Sequence, residues 1–308
     1  MGGSGWGIWL GRYAMIVARV DEVPVKELDD LWKARMGSVA SVHIYPLKGC
    51  RAIDLGESLV EPWGLAGDRR WLLVDSDYRF FSQREHASMA RLVVTYGPGD
   101  GITVTSDGFT PLWVATPGPA AEMLKVSVWR STVLAAAAGS SADAWFSAYL
   151  GEPARLVYLD DPTRRAVDPE FGETGDVVNF ADGYPLLATN TGSLDQLGDW
   201  LEASGERRVP MNRFRPNVVL TGFEPWAEDG WRRIRIGSVS FRVAKPCGRC
   251  IVTTTDQVTG QRGTQPLKML GARRRFGQSL VFGQNLIPDS PGPIRVGDPV
   301  EIAERIHS

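Results

Sequence analysis

The chain has 308 residues, 43% of them hydrophobic and 23% charged, with a formal net charge of -2. That length gives room for one large or two ordinary domains, and the composition is that of a globular protein with a sizeable apolar core, not of a disordered chain. The balanced charge supplies no global basic field of the kind that holds nucleic acid or an anionic membrane, so neither partner is expected and any anion binding must be local.

In chain order, the first stretch, MGGSGWGIWLGRYAMIVARV, is Gly-rich and partly apolar. Arg19 interrupts its apolar run, which is too short to span a bilayer and is not followed by a small-residue cleavage pattern. Residues 1–35 therefore read as a poorly ordered extension, with a short helix in VKELDDLWKARM. From Met36 the pattern changes. SVASVHIYPLKG alternates Val39, Val42 and Ile44 as a strand does. RRWLLVDSDYRFFSQRE reads as two strands joined at the turn-rich triplet Asp75, Ser76 and Asp77. ARLVVTYGPGDGITVTSDG repeats the theme. In SSADAWFSAYLG, Ser140 and Asp143 suggest a capping box and Gly151 a helix stop.

RLVYLDDPTRRAVDPEFGETGD begins as a strand and turns polar and Pro-rich, which places the domain boundary there, between a unit at 36–160 and one at 161–308. GSLDQLGDWLEASG is a second helix, with Ser193 and Gln196 as its start signal. RPNVVLTG, WRRIRIGSVSFRVAKPC, IVTTTDQ and IRVGDPVEIAE then read as strands, and PLKMLGARRRFG as one more helix. The fold class is α+β, predominantly β: two β-barrel-like domains with a few peripheral helices.

Three cysteines in so long a chain make no disulfide framework, which points to a reducing, cytoplasmic setting. Two of them lie in KPCGRCIVTTTDQVTG, as Cys247 and Cys250. Zinc is disfavoured because Cys50, His43, His86 and His307 supply no second pair at metal spacing. The CGRC string looks like a dithiol redox site, but such a site needs a helix starting at the motif, and the β-branched IVTTT is a poor helix start. Two readings stay open: partly buried cysteines without chemistry, or a lone thiolate at a strand start, favoured by the neighbouring Arg249 cation and suited to a soft or sulfur-rich metal centre.

KPCGRCIVTTTDQVTG, with PLKML, FGQNLI and IRVGDPVEI after it, resembles the MOSC domain, the molybdenum cofactor sulfurase carboxy-terminal domain. The upstream YPLKG and GDRRWLLVD are similar to the β-barrel that precedes MOSC in the amidoxime-reducing molybdoenzymes. The resemblance implies that Cys250 is the protein ligand to molybdenum in a molybdopterin cofactor, and that Cys247 is not. The cofactor carries a phosphate, and with no Gly-rich phosphate loop the chain must hold it with side chains, for which Lys48, Arg69, Arg215 and Arg249 are candidates. By the same resemblance Asn217 joins Arg215 in FRPN. Thr191 and Ser193 of TNTGS offer a helix start to an anionic group. Asn285, in FGQN, stands where relatives have Tyr. Asp256 and Thr254 follow the ligand strand, where plain strand or turn roles are the expectation and shaping of the pocket the alternative.

The resemblance implies two-electron reduction of small N-hydroxylated bases such as amidoximes and hydroxylamines. An iron–sulfur cluster would need more cysteines than the chain has, so a separate ferredoxin or flavin reductase is the expected electron donor. Alternatives are a persulfide carrier using Cys250 and a cofactor carrier without turnover. Pyridoxal phosphate binding is a family-level association only.

Overall fold

The computed structural model describes residues 37–97 and 99–306. The expected extension 1–35, its short helix and His307 lie outside the described residues. The rest is mostly β, with three α-helices among the described residues: α1 (Ser140–Leu150), α2 (Thr191–Ala203) and α3 (Leu267–Arg273). None is long and apolar enough to cross a membrane.

Seven strands close into a barrel. Leu186–Asn190 pairs with Val218–Thr221, then follow Gly37–Ile44, Pro299–Arg305, Trp231–Ile236, Val239–Gly248 and Ser279–Pro288, which returns to Leu186–Asn190. Only the Leu186–Asn190 and Val218–Thr221 pair is parallel. Alternation drives the closure: in Trp231–Ile236 the buried residues are Trp231, Ile234 and Ile236, while the arginines between them face out. Val39, Val42, Leu220, Phe241 and Leu286 meet these inside one core. Truncating a fully buried aromatic such as Phe241 would cost about 3–5 kcal/mol. At the seam Gly283 has φ 78°, and a Cβ there would stand 2.6 Å from the Ala188 carbonyl oxygen. Only glycine lets those strands approach.

The second body is an open half-barrel. Its four-stranded sheet runs Trp71–Val74, Arg155–Tyr158, Ser131–Ala137, Met123–Val128, beside a meander of Val93–Tyr96, Gly101–Thr105 and Leu112–Ala115. All four residues of Trp71–Val74 are buried, because α1 and the meander pack on one face and Phe180, from the second half of the sequence, on the other.

The two halves trade strands. Gly37–Ile44, assigned by sequence to the first unit, is a stave of the barrel built from the second, and Glu57–Glu61 pairs with Gly292–Arg295. The barrel is thus not one contiguous stretch of chain.

Four local expectations change. After Asp75–Asp77 there is no second full strand, only single bridges at Arg79 and Phe80, since the Asp75 carboxylate accepts from the Asp77 and Arg79 N–H groups and tightens the turn. Helix α1 has Gly139, not Ser140, as its N-cap, and Asp143 instead accepts from the Leu156 N–H and pairs with Arg155. Helix α2 is capped three residues before the expected Ser193, with the Asn190 side chain accepting from the Gly192 N–H. The run Ile251–Thr254 is a 3-10 turn, not a strand. There the Thr253 hydroxyl donates to the Cys250 carbonyl at 2.9 Å and the Thr254 hydroxyl to that of Ile251 at 2.8 Å. This back-bonding reverses the β preference of the residue type.

Candidate functional site

A cavity opens where the half-barrel meets the barrel. Lys48, Arg69 and Gly49 line it from one side, Arg215, Asn217 and Asn285 from the other, and Cys247, Arg249 and Cys250 close one end. Seven of the sequence-predicted positions therefore meet in one concavity: Lys48, Arg69, Arg215, Asn217, Arg249, Cys250 and Asn285.

Each cation is held by a different device. Lys48, almost fully buried, donates to the Phe180 carbonyl at 2.8 Å and pairs with Asp182. Burial pushes its ammonium down to about 8, against the opposing pull of Asp182. Lys48 and the Trp129 indole N–H, 3.1 Å away, hold the exposed Asp182 carboxyl below the usual carboxylate range. Arg69 pairs with buried Asp68 at 2.6 Å and donates to Asn217 Oδ1 at 3.2 Å. Arg215 donates to the Cys50 carbonyl at 2.7 Å and to Gln257 at 3.0 Å.

Arg69 and Arg215 share one support, the Tyr45 ring, with guanidinium carbons 4.4 and 4.2 Å from its centroid. Two like charges tolerate that spacing because a π face and Asp68 lie beside them. Burial raises the Tyr45 phenol to about 12, so it stays neutral. Both arginines have positive φ, 45° and 55°. Five described non-glycine residues do so, and three of them, Arg69, Trp129 and Arg215, line this cavity. Backbone strain concentrated in this way marks functional sites.

The thiols divide unlike the sequence expectation. Arg249 donates to the Cys247 sulfur at 2.8 Å and to the Phe214 carbonyl, so its charge sits on the first cysteine, not the second. Cys250 lies two residues past the strand Val239–Gly248 and caps the 3-10 turn with extended backbone, and its sulfur makes no hydrogen bond among the described residues. Cys50 is buried, its thiol pushed up to about 11 by desolvation, and lies outside the cavity lining.

Thr191 and Ser193 do not line the cavity. Thr191 shares a hydrogen bond with Thr221 at 3.0 Å, and the Ser193 hydroxyl bonds buried Glu228 and accepts from the Trp226 N–H. The hydroxyls serve the helix cap and a buried carboxylate, which is the plain role of such residues. Asp256 caps its own turn and pairs with Arg213, and Thr254 is buried in the 3-10 turn. Sequence reading missed Tyr45, Phe80, Arg84, Trp129, Asp182 and Tyr184. Only the Trp129–Arg130 pair, bulky residues in a strand-to-strand connection, carried a usable signal.

The donor set fits a negatively charged, phosphate-bearing ligand that brings its own metal. Five lining cations face one lining carboxylate, Asp182, and the Arg249 Nε is buried without a partner. Among the described residues no group of three or more His, Cys, Asp or Glu could hold a bare ion, so a metal at Cys250 needs its other ligands from a bound molecule.

Residues 36–153 match the model of the MOSC N-terminal beta barrel domain, and residues 175–301 that of the MOSC domain. The mouse protein named mitochondrial amidoxime-reducing component 1 is 31% identical, over 86% of this chain and 82% of its own. Its human counterpart is 29% identical over 86% and 83%. The tomato molybdenum cofactor sulfurase is 26% identical over 85% of this chain but only 35% of its own.

Proposed function

We propose that this chain, which belongs to the MOSC family and carries the family's N-terminal β-barrel, is a molybdenum-cofactor oxidoreductase that reduces small N-hydroxylated bases. The observation that carries the reading is the cavity: one unpartnered thiol and a ring of cations, drawn from both halves of the chain. Relatives named as amidoxime-reducing components support the reaction class.

When bound, the cofactor supplies a sulfur-ligated metal able to accept oxygen from nitrogen in a two-electron step. The protein's share is binding and orientation. Cys250 would provide the single protein thiolate. Lys48, Arg69, Arg215 and Arg249 would hold the phosphate and pterin, with Asn217 fixing Arg69 and Asn285 on the barrel wall. Tyr184, its phenol raised to about 12 by burial, stays a neutral hydrogen-bond donor at the cavity wall. The relatives' naming as components supports electrons arriving from a separate donor such as a ferredoxin or flavin reductase. A cytoplasmic setting remains part of the proposal, although several relatives carry "mitochondrial" in their names.

The test is anaerobic reduction of benzamidoxime to benzamidine with a chemical reductant, product against enzyme. Turnover that follows molybdenum content supports the reading, and none at full occupancy overturns it. The sulfurase match favours one second reading, Cys250 as a persulfide carrier. Detection of a cyanide-labile sulfur on Cys250 in metal-free protein would support it.

A further inference from the structure

We propose that Trp129 and Arg84 form the substrate-recognition lip of the cavity, selecting flat, π-rich substrates that carry a negative charge over their positively charged counterparts. The assignment rests on the reductase reading and names the substrate class.

Trp129 follows strand Met123–Val128 in the two-residue connection to Ser131–Ala137, with φ 54°. A bulky side chain in that region is a genuine outlier, and glycine or asparagine would sit there without strain. The indole is nevertheless 43% exposed, and it lines the cavity. Three contacts aim it. Its N–H donates to Asp182, the edge of Phe80 meets it at 4.8 Å between centroids, and the Arg84 guanidinium lies 4.3 Å over its face.

Arg84 also lines the cavity, and among the described residues its guanidinium makes no salt bridge and no hydrogen bond. No carboxylate of the described residues lies within ion-pair distance of it, and the indole ring is the partner that the structure gives it. Asp182 joins Trp129 to Lys48, so the lip is tied to the cofactor anchor and keeps its orientation. An exposed aromatic face beside a fixed cation binds a planar π system bearing an anionic substituent and repels a cationic one. Because both groups face the cavity, the lip suits a small molecule better than a docking protein.

Two probes on one scaffold, opposite in charge, test it: benzamidoxime bearing a para carboxylate and the same scaffold bearing a para trimethylammonium, with the Arg84 variants separating charge from size. For wild type the carboxylate should have the lower KM by about tenfold, one charged contact's worth. Arg84→Glu should reverse that order and Arg84→Gln abolish it, and Trp129→Ala should raise the aryl KM by about tenfold more than that of acetamidoxime. Calorimetric binding of 4-methylbenzoate and phenyltrimethylammonium repeats the comparison without turnover. If the protein reduces nothing yet discriminates these ligands through Arg84, the reductase reading falls and the lip stands. Equal affinity of wild type for both charges overturns the proposal, as does loss of molybdenum from Arg84→Gln or Trp129→Ala, which would make the pair a cofactor contact.

Discussion

The two ends of strand Leu186–Asn190 make an instructive pair. At one end Leu186 and Leu187 border the cavity, and at the other Asn190 leads into α2 with Thr191 and Ser193. Both ends are rich in polar side chains, and the sequence nominates both for cofactor contact. At the α2 end the side chains of Asn190, Thr191, Ser193 and Glu228 bond to one another, to the Thr221 hydroxyl or to nearby backbone. At the cavity end positive charge outnumbers negative, the Cys250 sulfur is free, and the Arg249 Nε lacks a partner. The ends differ in what converges on a concavity, a free thiol and five cations at one and neither at the other, so polarity at a helix start does not by itself mark a site.

The sharpest way to break this comparison is at the sulfurs. Cys250→Ala should reduce activity to background and strip the metal, whereas Cys247→Ala, which removes only an acceptor for Arg249, should keep substantial metal and turnover. Equal loss in both variants, by metal analysis and benzamidoxime assay, would favour a dithiol chemistry instead.

Next come the cations that the two halves contribute. Removing a charge-assisted phosphate contact costs roughly 1.5–3 kcal/mol, about 10- to 150-fold in affinity. Arg69→Ala and Arg215→Ala should each lose cofactor by that order in a competition assay while the empty protein still folds.

A smaller effect comes from Lys48. Its folded pKa is about 8 against an ordinary 10.5, so between those values the unfolded chain binds more protons than the empty folded protein. Stability contributed by this group therefore rises with pH across that window. Cofactor affinity should do the opposite, because the phosphate needs the ammonium. Melting curves of empty protein, and cofactor retention on gel filtration from about pH 7 to about pH 9.5, should move in opposite directions in wild type. Lys48→Arg should flatten both trends.

The smallest effect on the cofactor belongs to the α2 end. Ser193→Ala leaves buried Glu228, its carboxyl already raised by burial, with one donor fewer, a loss of about 1–3 kcal/mol of stability. Pterin content should not change.

Much of this was legible in the sequence. The stretch WRRIRIGSVSFRVAKPC read as β-rich and forms two staves of the barrel, Trp231–Ile236 and Val239–Gly248, and the motif around Cys250 singled out a thiol that lines the cavity. Three things were hidden. Strand exchange between the halves is a long-range pairing that no local pattern encodes, so Gly37–Ile44 looked like part of the first unit. The 3-10 turn after Cys250 depends on threonine hydroxyls closing on the chain's own carbonyls, against the residue type's preference. Arg249 precedes Cys250 in sequence, yet its side chain reaches back to Cys247. Adjacency along the chain did not decide which sulfur receives the charge.

The central claim is that the cavity, and not the α2 turn, holds a molybdenum cofactor. Its most direct test is the molybdenum and oxidised-pterin content per chain of wild type, Arg215→Ala and Ser193→Ala, purified side by side. The account predicts a loaded wild type, a loaded but less heat-stable Ser193→Ala, and a folded, largely empty Arg215→Ala. An empty Ser193→Ala beside a fully loaded Arg215→Ala would contradict it.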